Sequence, residues 1–227
     1  MIGQPNKRVY SLITILFLSV IGIAFGKAAR TQQPTSQDDT ALRDAIRKGG
    51  LREAARIKGH YVGIMKTGHW AKLDLESLTK YSAAIIVGTP EGSASRLSDD
   101  GEVITTEYKV KVKESLKGAL TSDQLVTISL PGGKVVFADG TSATINTPDI
   151  EGMVEGRTYV LFLSPHATPL GALTLTADGQ GLFELSGDGQ GVKPHGDKVD
   201  SVQKHKGETI EAFRREIETA VQKYPEI

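Results

Sequence analysis

Five histidines, His60, His69, His166, His195 and His205, are the residues on which zinc or general acid–base chemistry would have to be built. A zinc site carried by one helix wants two of them four residues apart, so that both rings leave the same face. No pair has that spacing. His60 and His69 meet only through an unassigned stretch. His195 and His205 fall in a polar connector, where solvent-exposed or hydrogen-bonded histidines are expected. The chain has no cysteine, which excludes disulfides, thiolate zinc sites, thiol nucleophiles and lipid-modified cysteine.

The other reactive types are equally scattered. The tetrapeptide DGQG occurs at 178–181 and again at 188–191, but each copy brings a single carboxylate and a calcium loop needs several oxygens. Two turns flanking the strand GLFEL are the simpler expectation. LPGGKVVFADG holds two adjacent glycines, yet no helix or P-loop lysine follows, so a turn between strands is expected rather than a phosphate cradle. No G-x-S-x-G elbow frames Ser129 or Ser164. Glu107, Glu114 and Asp123 read as solvated carboxylates, not as an acid–base pair. Lys109, Lys111, Lys113 and Lys117 form a basic row without interleaved aromatics. Protection of an edge strand suits it better than contact with a polyanion. The expected sets of catalytic, cofactor-binding and metal-binding residues are therefore all empty.

Basic and acidic residues balance at 27 each over 227 residues, so no global field draws the chain to nucleic acid or to an anionic surface. A membrane is expected to matter only through the N-terminal segment. Lys7 and Arg8 precede an uncharged apolar run from Val9 to Gly26, with small residues at Ala24 and Gly26. That order describes a secretory signal, and the run also reaches the lower length for spanning a bilayer. Residues 1–26 are read as a signal peptide or a retained anchor. Both outcomes export the rest to the periplasm or the extracellular space, with the anchored form held at the inner membrane.

What remains divides into a flexible tether at 27–40, a helical segment at 41–72, a β-rich domain at 73–191, a polar connector at 192–207 and a final helix at 208–227. In the helical segment Leu42, Ala45 and Ile46 share a face, Gly49-Gly50 breaks it, and Leu51, Ala54, Ala55 and Ile57 resume it. Residues 60–72 show no period. LDLESLTKYS predicts a short helix with Leu75 and Leu78 inward, and AAIIVGT a strand buried on both sides. VITTEYKVKVKESLKG alternates most clearly: Ile104, Thr106, Tyr108, Val110 and Val112 against Thr105, Glu107, Lys109, Lys111 and Lys113. QLVTISL, KVVFA, RTYVLFLS, ALTLTA and GLFEL complete the strands, each bounded by Gly, Asp or Pro. Ile210, Phe213, Ile217 and Val221 give the last helix one apolar stripe, which must pack on something. The predicted fold is mainly β: a small antiparallel, OB-like barrel with an N-terminal helical segment and a C-terminal amphipathic helix.

AAIIVGT, EYKVKVKESLKG, LVTISLPGG, GRTYVLFLSP and GQGLFEL together resemble bacterial exported proteins of unknown role. Those proteins carry an OB-like barrel similar to that of the tissue inhibitors of metalloproteinases. The resemblance covers about residues 73–191 and implies a fold. It does not imply metalloproteinase inhibition, which depends on an N-terminal cysteine that this chain lacks.

Three functions fit the sequence. The first is an exported, non-catalytic binding or interaction domain of the cell envelope, acting on an unknown envelope or extracellular partner. The second is a hydrolase-type enzyme whose site, for instance His166 with a carboxylate, assembles only in three dimensions. The third is a structural envelope protein anchored by residues 9–25 and bound to a partner through its last helix.

Overall fold

The computed structural model describes residues 37–66, 71–148, 150–165, 168, 171–187, 191–196 and 199–225. The apolar run at 9–26, His69, Trp70, His166 and most of the second DGQG lie outside the described residues.

Helix α1 (Gln37–Lys58) is interrupted at the predicted place, with non-helical backbone at Gly49 and at Gly50 (φ 67°). A Cβ at Gly50 would lie 2.4 Å from the Gly101 carbonyl oxygen. Leu51 N–H donates to that same oxygen at 2.7 Å. The break is therefore a close docking point against the Asp99–Gly101 turn. Leu51, Ala54 and Ala55 are buried, but Ile57 is 51% exposed, because the patch that α1 covers ends at Ala55.

Two sheets follow. Residues 60–64, which show no period, form β1 (His60–Ile64). It pairs in parallel with β6 (Ser142–Asn146), and β6 pairs antiparallel with β5 (Gly133–Val136). The second sheet has the order β4 (Leu125–Pro131), β3 (Ile104–Lys117), β2 (Ala84–Leu97), β7 (Thr158–Leu163), β8 (Leu182–Leu185), β9 (Val192–Pro194), and all of its pairs are antiparallel. The chain is thus mainly β, with helices added.

Neither sheet is closed, which corrects the expected antiparallel barrel to two open sheets, one of them mixed. The stretch ALTLTA marks where closure fails. It makes isolated bridges only, Leu173 to Ile128 of β4 and Leu175 to Leu163 of β7. By changing partner within two residues it lets no ladder propagate on either side.

Strand β3 keeps its predicted faces: Ile104, Tyr108, Val110 and Val112 are buried. It is nevertheless an interior strand between β4 and β2, so its lysines protect no edge. They act between strands instead. Lys109 donates to Thr127 at 2.7 Å, Lys113 to Thr158 at 2.9 Å, and Lys111 pairs with Asp123 at 3.0 Å. Lys117 is buried and donates to the Thr79 carbonyl at 2.8 Å, which removes it from any basic surface.

The six-stranded sheet has a core on each side. One face holds Ile86, Tyr108, Val110, Ile128, Tyr159 and Leu161. The other, with Ile85, Val160, Phe162 and Phe183, is covered by α2 (Leu75–Tyr81), α3 (Asp200–Gln203) and α4 (Ile210–Lys223). Asp74 caps α2 by accepting from Ser77 N–H at 2.8 Å, and Thr209 caps α4. The predicted stripe of α4 lands here: Phe213 and Ile217 are fully buried, and the Phe213 ring lies 4.8 Å from that of Phe183.

Candidate functional site

The polar connector hides its two histidines, which are hydrogen-bonded and not solvent-exposed. His195 and His205 are 5% and 2% exposed. The reason is pairing: His195 lies against Glu151 and Glu184, and His205 against Glu208 and Glu216.

His195 follows β9, and its backbone N–H donates to Leu182 O at 2.9 Å, which sets the ring beside the cross-strand row Tyr159, Glu184 and Lys193. Its Nε2 lies 3.3 Å from Glu184 Oε2, and its Nδ1 lies 3.3 Å from Glu151 Oε2. Arg157 donates to the other Glu184 oxygen at 2.7 Å, and Lys193 donates to Glu151 at 2.9 Å. The result is a linked row, Lys193–Glu151–His195–Glu184–Arg157, with the imidazole at its centre, its Nδ1 buried without a hydrogen-bond partner, and the Tyr159 ring edge 5.8 Å away. Burial pushes the His195 pKa down, helped by Lys193 and opposed by the two glutamates. The Lys193 ammonium holds Glu151 below the usual carboxylate range, and Glu151 raises Lys193 in return. Burial pushes the Tyr159 phenol up.

Chemically this is a clamp. The ring is shut off from solvent, both its nitrogens face carboxylates, and among the described residues no serine or threonine hydroxyl is a partner. The clamp joins the loop before β7 to β8 and β9. Since the folded-state pKa is depressed, the unfolded chain binds the proton more readily. The contribution of His195 is then complete above the ordinary histidine value of about 6.5. It is lost as pH falls from there through the lowered value. Denaturation of the protein and of His195→Gln across pH 7.5 to 5 should show a steeper loss for the unsubstituted chain. One proton limits that difference to about 1.4 kcal/mol per pH unit. Parallel curves would contradict the lowered pKa of His195.

His205 at the end of α3 gathers Glu208 and Glu216, with one donor atom from each within 4.8 Å of the others. The Nδ1 to Glu208 Oε2 distance is 2.7 Å, a hydrogen bond, whereas two ligands of one tetrahedral zinc stand about 3.3 Å apart. Glu216 lies 3.9 Å from Nδ1 and takes Lys204 at 3.6 Å. Nε2 is buried without a hydrogen-bond partner, and the ring stands edge-on to Phe213 and Phe183. The group closes the junction between α3 and α4 through the His205–Glu208 hydrogen bond. The purified protein should melt at the same temperature with chelator, calcium or zinc. A rise of many degrees with one ion would overturn this, because an ion that binds the native state stabilises it by mass action.

Open space with converging polar groups occurs elsewhere, between the two sheets. A cleft of about 400 Å³ is lined by β3, the β4–β5 corner, β6 and the loop that follows it. Its apolar wall is Leu130, Ile145 and Ile150, and its polar groups include Tyr108, Lys134, Thr144 and Asn146. The corner Pro131-Gly132-Gly133 shapes it. Gly133 has φ 129°, and a Cβ there would lie 2.2 Å from Thr106 Oγ1, so no larger residue fits. Tyr108 is almost fully buried, its phenol is pushed up by burial, and its oxygen accepts a hydrogen bond from the Met153 backbone. The hydroxyl is therefore a protonated donor at neutral pH.

Of the residues weighed from sequence, Glu107, Glu114 and Asp123 each take a cation of the same chain, Arg96, Arg214 and Lys111. His60 is exposed and bonded to Ser142. The first DGQG is a single 3-10 turn leading into β8. Sequence reasoning missed the His195 chain because its members are far apart along the chain. The i, i+3 spacing of His205 and Glu208 was the one local signal. No protein-family model matches the chain, and no curated protein matches it either.

Proposed function

We propose that the protein is a non-catalytic binding domain that works outside the cytoplasm, and that its ligand site is the cleft between the two sheets. One observation carries this reading. The densest ionisable groups, around His195 and His205, are spent on internal pairs, while the cleft faces open space with an apolar wall, a phenol, an amide and one ammonium. That set suits a small molecule with an apolar body and a carboxylate for Lys134. No acid–base pair lies in its described lining. The run from Val9 to Gly26 supports export, and the resemblance over residues 73–191 agrees with it. Among the described residues no helix is long and apolar enough to cross a membrane.

The enzyme reading has one point in its favour, the shifted groups gathered at His195. The buried ring gives a substrate no approach. The structural reading needed an exposed stripe on the last helix, and that stripe is covered. Small aromatic and aliphatic carboxylates, titrated by NMR, should shift the amides of Lys134, Thr144 and Asn146, and Thr144→Trp should abolish the shifts. Turnover of ester, amide or glycoside reporters that disappears in folded His195→Gln would establish the enzyme instead. A reporter active only outside the cytoplasm, fused after residue 40, tests export; a silent but stable fusion would end that part of the proposal.

A further inference from the structure

The cleft has a second polar end besides Lys134. Tyr108 is only 7% exposed, and its side chain reaches the loop between β6 and β7, where its oxygen accepts the Met153 backbone N–H. A Cβ on Gly152 would lie 2.5 Å from that oxygen, so a side chain there would cover the phenol. Gly152 carries none, is itself exposed, and lines the cleft together with Tyr108. Burial keeps the proton on the phenol at neutral pH. Nothing among the described residues accepts that proton. A hydroxyl so enclosed calls for an acceptor, and its open side is the cleft.

The two ends stand on different sheets. Tyr108 belongs to β3 of the six-stranded sheet, and Lys134 to β5 of the three-stranded one. Leu130, Ile145 and Ile150 supply the apolar wall of the same cleft. Lys134 is exposed, and its ammonium has no partner among the described residues. One end is thus a cationic donor and the other a neutral donor. The phenol oxygen is already engaged by Met153, so what it offers a ligand is its proton.

Given the cleft as the ligand site, a reading on which this one rests, we infer that Tyr108 selects the ligand. The bound molecule carries a carbonyl or ether oxygen across an apolar body from its carboxylate, and that oxygen takes the phenol proton. Lys134 holds the carboxylate, and the wall holds the body. A molecule without the oxygen leaves the proton unpaired against an apolar surface, and that loss discriminates against it.

The test uses (4-acetylphenyl)alkanoates with one to three methylenes before the carboxylate, each beside its 4-isopropenyl isostere, in which CH2 replaces the ketone oxygen. NMR titration at the amides of Lys134, Thr144 and Asn146 gives the affinities. The full protein should bind the best ketone about tenfold more tightly than its isostere. Tyr108→Phe, which removes the hydroxyl alone, should make the pair equal by weakening the ketone. Gly152→Ala, which displaces the hydroxyl without altering β3, should do the same. Lys134→Met should weaken both members alike and preserve their ratio. Equal affinities within every pair for the unsubstituted protein, or a ketone preference that survives in folded Tyr108→Phe, overturn the inference and leave the cleft as the site. Absence of any amide shift with all of the compounds overturns the cleft reading itself, and the selection by Tyr108 with it.

Discussion

Val110→Asp should cost several kcal/mol, a large share of the roughly 5–15 kcal/mol that holds a domain together. Val110 is fully buried in the core face of β3 and has strands on both sides, Val126 of β4 and Pro90 of β2 being its partners. A carboxylate there meets neither water nor a cation, so the domain must unfold or protonate it. Lys111, one residue on, faces the other way and pairs with the exposed Asp123. Lys111→Glu should leave the denaturation midpoint nearly unchanged. A one-residue slip in β3 would exchange these two results, which makes the pair decisive. Equilibrium denaturation in which Lys111→Glu is the damaging change, or in which both are harmless, would falsify the strand assignment.

Phe213→Ala should cost about 3–5 kcal/mol, the range for deleting a buried phenyl ring. The side chain is fully buried, with the Phe183 ring 4.8 Å away and the His205 ring 5.3 Å away. It therefore ties α4, the β8 face and the His205–Glu208 hydrogen bond to one another. Glu218→Ala, on the exposed side of α4, provides the comparison and should be close to neutral. Equal, small costs for the two substitutions would mean that α4 does not pack as described.

Local pattern carried much of this fold. The period of β3, the apolar run of β2, the inward leucines of α2 and the stripe of α4 could each be read because a single face decides them. Pairing between distant segments could not. β1 is five residues with a glycine among them, and it becomes a strand only because β6, some eighty residues later, lies beside it. Alternation in β3 shows its two faces but not its neighbours, so it does not distinguish an interior strand from an edge. The burial of His195 was hidden for a related reason. Its environment is supplied by Glu151 and Glu184, and a ring between two carboxylates looks polar in sequence whether or not solvent reaches it. The cleft left no mark beyond the glycine pair at its corner.

The central claim, binding without turnover in the cleft between the sheets, is tested most directly by native mass spectrometry. The measurement is made on the full chain recovered from its own cells. The account predicts one small molecule retained per chain, absent from folded Thr144→Trp and released chemically unchanged. A molecule retained equally by Thr144→Trp, or one that the protein converts while His195→Gln does not, would contradict it.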